Sequence, residues 1–316
     1  MSSAMLRLVV AFLLPLSLGC GGKITAGHSV DNGAPDLLAP AVDMVNPLDQ
    51  APPTVDMAPA GQTKFADWTP TAKGLWIWYW DYIGKTPAEA AQIAADLGVG
   101  YVLIKSGQDA NQWADRYNAA SVAEFTKRGI RVLAWPYITT SNIPGSIDAA
   151  VKAANIPGTD GLVLDVEIEW EEGGDHSKDA ETLCKGIRAG APDAFLGYTS
   201  WGWVGYHATK FPFTAFDTYC GDGYFAQVYF SDRGVSWDGT KGLPQALQMY
   251  QDSKLQAPLW IVYSNDDVYG TMDGPTTQDL NDAFDAGGTR VSLWEFPGKS
   301  WPEKLDQLYD LHWDNP

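Results

Sequence analysis

Cysteine, histidine and positive charge are all scarce in this chain. Of 316 residues three are cysteine and four histidine, and 21 lysines and arginines stand against 39 aspartates and glutamates. The resulting formal charge of -18 argues against nucleic acid and anionic lipid surfaces as partners, because both reward basic patches. His176 and His207 have no partner at metal-ligand spacing, so no zinc-type ligand set is expected. Asn265, Asp266 and Asp267 lack the regular acidic spacing and glycine of a calcium loop. No glycine-rich phosphate turn follows the first apolar strand and no serine sits in a nucleophile elbow, which sets aside nucleotide-cofactor and serine-hydrolase chemistry. No cofactor is expected. The apolar stretch Leu8 to Leu18 is too short to cross a bilayer as a helix.

That stretch reads instead as an export signal over residues 1–19, with Arg7 before it and Gly19 and Cys20 where cleavage would fall. Residues 20–67 are rich in Pro, Ala, Gly and Asp without apolar periodicity, and are read as a disordered tether. The folded unit is then 68–316, a size that suits one α/β barrel. What the chain has in excess is aromatic: 14 tryptophans and 14 tyrosines. Such rings stack on the apolar faces of sugars as readily as they fill cores. Cys184 and Cys220 form an even pair in an exported protein, as a disulfide or as two buried thiols.

The most informative segment runs from Gly161 to Glu169, an apolar strand that turns acidic on one face. Alternation puts Asp165, Glu167 and Glu169 on one side and Leu162, Leu164, Val166 and Ile168 on the other. Successive carboxylates on that face would lie roughly 7 Å apart, close enough to perturb each other's titration. Glu169, Glu171 and Glu172 run into the loop containing Gly173 and Gly174 and read as a solvated face.

Eight apolar runs alternate with amphipathic stretches: Gly74 to Trp80, Tyr101 to Lys105, Arg131 to Tyr137, Gly161 to Glu169, Phe195 to Ser200, Phe225 to Tyr229, Leu259 to Tyr263 and Val291 to Trp294. Helices are expected over Pro87 to Leu97, Ser121 to Lys127, Ile147 to Ala154, Lys178 to Ala189 and Thr277 to Ala286. This rhythm predicts a single-domain (β/α)8 barrel of the TIM type, with a doubly wound open sheet as the alternative. In a barrel the strand ends meet at one mouth, so substrate-binding candidates are Trp78, Trp80, Asp81, Lys105, Trp135, Tyr137, Tyr198, Gln227, Tyr229, Tyr263 and Trp294. Glu295 is expected to face away from Trp294.

The segment Asp160 to Glu167 resembles the fourth-strand motif of family 18 glycoside hydrolases, with Val163 standing where that motif has its first inner aspartate. The Asp-x-Glu core at the end of the fourth strand is also similar to family 25 lysozymes, as are the second and third strands, Tyr101 to Lys105 and Gly129 to Tyr137. The likeness covers roughly Gly74 to Trp170. It implies Glu167 as general acid, Asp165 as the residue that orients a substrate group and stabilises its developing charge, and the substrate's own N-acetyl group as nucleophile. Cys20, after Leu16 to Gly19, resembles the lipidated cysteine of bacterial lipoproteins. That implies anchoring to the cell envelope through a membrane-inserted lipid, at the outer membrane in a two-membrane bacterium.

Two readings follow. One is an exported glycoside hydrolase acting on an amino-sugar polymer such as peptidoglycan. The other is a glycan-binding or envelope-structural lipoprotein that keeps the cleft without the chemistry, which Val163 favours.

Overall fold

A computed structural model describes residues 73–228, 242–264 and 288–296. Its strands are β1 (Lys73–Ile77), β2 (Val99–Gln108), β3 (Asn111–Gln112), β4 (Arg131–Tyr137), β5 (Gly161–Asp165), β6 (Phe195–Trp201), β7 (Tyr224–Gln227), β8 (Leu259–Ser264) and β9 (Gly288–Trp294). Eight of them pair in parallel in the order β1-β9-β8-β7-β6-β5-β4-β2, and β1 pairs with β2 to close the ring. The short β3 adds an antiparallel ribbon to the end of β2. The chain is therefore a closed TIM-type barrel, and the open-sheet alternative is excluded by the β1–β2 pairing.

The helices are α1 (Trp80–Ile83), α2 (Pro87–Asp96), α3 (Ala119–Thr126), α4 (Ile143–Ala154), α5 (Ser177–Gly190), α6 (Val204–His207), α7 (Phe213–Tyr219) and α8 (Gly242–Ser253). Local chemistry sets their ends. Thr86 and Glu89 form a reciprocal capping box at α2, with Pro87 in its first turn, and Gly98 follows its end at φ +68°. Asn118 caps α3, and Asn142 caps α4 four residues ahead of the expected start. The expected helix Thr277 to Ala286 lies outside the described residues, as do residues 1–72.

Alternation along the strands sorts the core into two layers. Leu75, Val102, Val132, Leu162, Leu164, Leu196 and Ile261 face the helices. Trp76, Tyr101, Leu103, Leu133, Trp135, Val163, Phe195, Phe225, Trp260 and Val262 fill the barrel interior. The interior packing is largely edge-to-face aromatic: Trp76 meets Trp135 at 5.0 Å and Tyr101 meets Trp260 at 5.2 Å between ring centroids. Gly74 makes room for this plug, since a Cβ there would lie 2.2 Å from the Tyr101 ring. Cys184 of α5 and Cys220, at the end of α7, are joined by a buried disulfide with Cα atoms 5.5 Å apart.

Candidate active site

β5 ends at Asp165, two or more residues before the acidic run finishes. Asp165 keeps its place in the sheet through its carbonyl, which accepts from Ile138 N, and the next residue's N–H reaches Thr199 O. Beyond Glu167 the backbone winds into a 3-10 turn, Ile168–Trp170. The strict alternation expected through Glu169 therefore fails: Val166 is buried with the outer core, but Ile168 is exposed.

The early end of β5 draws two carboxyls together. Asp165, only 5 % exposed, receives Trp135 Nε1 at 2.9 Å and Lys105 Nζ at 3.4 Å, both on Oδ2. Its Oδ1 is buried and no N–H or hydroxyl reaches it. The Glu167 carboxyl lies beside that of Asp165, and its Oε1 accepts from Gln227 Nε2 at 2.9 Å. Burial first, then the Asp165 charge, pushes the Glu167 carboxyl up to about 8, against the opposing pull of Gln227 and Lys105. Lys105 is itself pulled down by burial, an effect that Asp165 opposes. Its ammonium lies 4.0 Å from the centroid of Trp135 and 5.1 Å from that of Tyr137.

Of the other mouth candidates, Trp78 and Trp294 pack over the inner cluster, 5.9 Å apart, and Trp294 meets Trp135 at 4.8 Å. Tyr137, partly buried, donates its hydroxyl to Glu169, whose two oxygens lie 2.8 and 2.7 Å from it. Three candidates belong elsewhere. Tyr198 is fully buried on the outer face of β6, stacked between Phe216 and Tyr224, because its strand position has the outward parity. Trp80 lies past the end of β1, in α1, where it stacks on Phe125 of α3 and donates to Arg116 O. Asp81 is exposed in the first turn of that helix. Tyr229 and the Tyr263 side chain lie outside the described residues, as do Cys20 and Asn265 to Asp267.

Glu169 and Glu171 are not a solvated run. Glu169 is held by Tyr137, and Glu171 pairs with His207 Nδ1 at 2.6 Å with its side chain 7 % exposed. His207 in turn stacks on Trp201, the rings 7° from parallel, so it links the loops after β5 and β6. Glu295 is buried beside Trp294. Nothing in the local sequence separates these glutamates from surface ones, because their partners lie up to 36 residues away.

Comparison of the sequence with protein-family models finds no match. No curated protein matches it either. Solved structures do. The spore cortex-lytic enzyme SleL of Bacillus cereus superposes with a TM-score of 0.55 at 10 % identity, over 75 % of this chain and 74 % of that one. The C-terminal domain of Legionella pneumophila ChiA gives 0.54 at 13 %, over 76 % and 97 %. The catalytic domain of a family GH18 chitinase from the fern Peteris ryukyuensis gives 0.53 at 11 %, over 76 % and 97 %. The chain shares the TIM-barrel fold of these glycoside hydrolases.

Proposed function

We propose that this protein is a glycoside hydrolase that cuts a polymer of N-acetylated amino sugars, peptidoglycan-like in class, with Glu167 as general acid and Asp165 as its charged partner. The observation that carries the reading is the contact between these two carboxyls at a tryptophan-walled barrel mouth. A second carboxylate acting as nucleophile would stand about 5 Å or more from the acid, and one activating water would stand farther still. Two adjacent carboxyls fit neither spacing well, which supports a nucleophile supplied by the substrate, the role the resemblance gives to a 2-acetamido group. The likeness in fold to SleL and to chitinases supports the same class.

In that mechanism Glu167 gives its proton to the glycosidic oxygen as the acetamido oxygen closes on the anomeric carbon. Asp165, pinned by Lys105 and Trp135, stabilises the positive charge that develops on the ring so formed. Glu167, now a carboxylate, takes a proton from the water that opens the ring, and both groups return to their starting state. Export and a lipid anchor at Cys20 would place the enzyme at its polymer.

Glu167→Gln is expected to lower reducing-end release from peptidoglycan or chitin-type polymers by about 10²-fold or more, with circular dichroism unchanged. Val163 supports a second reading, a binding protein without turnover, since it fills the barrel interior where the family motif has an acid. Tight glycan binding with no reducing ends released by the wild type would favour that reading and overturn the first.

A further inference from the structure

The aromatic wall of the mouth does not stop at the strand ends. Trp78 stacks on Tyr79 at 4.9 Å and 28°, and Tyr79 on Trp113 at 5.4 Å and 28°, which carries the wall from β1 onto the loop after β3. At its end the guanidinium of Arg116 lies over Tyr79 at 4.4 Å and over Trp113 at 5.4 Å. The backbone beneath it is tied down from both sides, Arg116 N donating to Trp113 O and Trp80 Nε1 to Arg116 O. Stacking thus holds the planar head in one orientation.

The donors of that head are nearly unspent. Among the described residues the polar partner of the Arg116 side chain is Asp115, 3.7 Å away, which is beyond hydrogen-bond reach. Asp115 is itself 78 % exposed, so this pairing is weak. The Arg116 side chain is 34 % exposed. It borders a groove of about 790 Å³ whose lining also holds Trp80, Lys85 and the carboxylates of Asp81, Glu89, Asp115 and Glu124. A guanidinium fixed by ring stacking, with its fork of N–H groups open to a groove, is a preorganised carboxylate receptor.

Resting on the glycosidase reading above, we infer that Arg116, on the Tyr79–Trp113 wall, forms a distal subsite that takes a carboxylate carried by the glycan chain. The guanidinium receives the acid. In a protein of charge -18, a cation presented in this way selects for where the substrate's negative charge lies. The carboxylate could sit on the sugar or on a peptide attached to it.

The test is equilibrium binding to full-length Glu167→Gln protein, which separates recognition from turnover. The probes are length-matched oligosaccharides: a neutral N-acetylated one, one with an acidic sugar, one bearing a short peptide, and carboxyl-reduced or amidated forms of the last two. A carboxylate-bearing probe is expected to bind roughly tenfold tighter than its neutral counterpart, as for one charge-assisted contact. Which of the two does so identifies the source. Adding Arg116→Gln should bring the ratio to about one, and Arg116→Lys should restore only part of it because a point charge lacks the planar fork. Equal binding of charged and neutral probes overturns the inference, as does a ratio that survives Arg116→Gln or an absence of binding to every probe. Reducing-end release by the wild type on the neutral polymer is measured in parallel. Its presence with a ratio of one would leave the glycosidase standing and the subsite refuted; its absence with a ratio of ten would do the reverse.

Discussion

Asp165 and Glu167 are two buried carboxyls side by side at the barrel mouth, and their electrostatics decide what the site can do. Asp165 takes two donors on Oδ2, its Oδ1 is buried without a hydrogen-bond partner among the described residues, and Glu167 is the carboxyl beside it. The sign of the pH dependence follows. Glu167 titrates near 8 when folded and in the ordinary glutamate range when unfolded. The acid form that the proposed mechanism requires of Glu167 therefore dominates below about pH 8, and on that proposal kcat/KM should fall as pH rises through that value. Asp165→Asn removes the second-largest cause of the shift but leaves burial. Carboxyl-labelled carbon-13 titration should then find Glu167 at a lower pKa, still above that of a free glutamate. No movement in that titration would mean that the two carboxyls do not interact. The same shift has a stability counterpart. The native state keeps a proton that the unfolded chain releases between roughly pH 4.5 and 8, so this group's contribution is fully present at low pH and is lost as pH rises through the native value. Glu167→Gln should flatten that part of a Tm-against-pH curve.

At the scale of the element, β5 shows how one strand is divided between packing and chemistry. Gly161, Val163 and Asp165 share the inward parity, and the inner aromatic cluster reaches up to Val163. Asp165 begins the polar layer above it. Introducing the acid that the family 18 motif carries, with Val163→Asp, would put a carboxyl into the aromatic cluster that holds Trp76, Trp135, Phe195 and Phe225. Burying such a group costs several kcal/mol unless it is paired or stays protonated. A drop in Tm of several degrees is expected, with no rise in hydrolysis. A stable and more active variant would show that the inner cluster accommodates the motif after all. Element ends account for the misplaced candidates as well. β1 stops at Ile77, so Trp80 and Asp81 turn outward with α1, and Tyr198 falls on the wrong parity of β6. A strand's parity is legible in sequence only where polar and apolar residues alternate, and Phe195 to Tyr198 offers no such contrast.

For the whole molecule, the disulfide closes a loop of 36 residues that spans α5, β6, α6 and α7. Replacing both Cys184 and Cys220 by alanine should lower stability by about 2–4 kcal/mol, read as a fall in the denaturant midpoint. A midpoint that does not move would argue that the bridge is absent in solution. Targeting is tested at the same scale. Cys20→Ser is expected to move the protein from the membrane fraction of expressing cells to the soluble one, and unchanged fractionation would refute lipid anchoring. The alternation of eight apolar runs with amphipathic stretches and the Asp165–Glu167 spacing are local, and a sequence states local patterns directly. Period and spacing depend on residues within a turn or two of each other. The rest depended on closure. Only when β1 pairs with β2 do Lys105, Trp135, Gln227 and Trp294 surround the acids. Only there do two carboxyls expected roughly 7 Å apart on an extended strand come into contact, and do glutamates that looked solvated acquire partners. These contacts join residues from distant parts of the chain, and their energies come from burial and charge in a shared space that no linear pattern encodes.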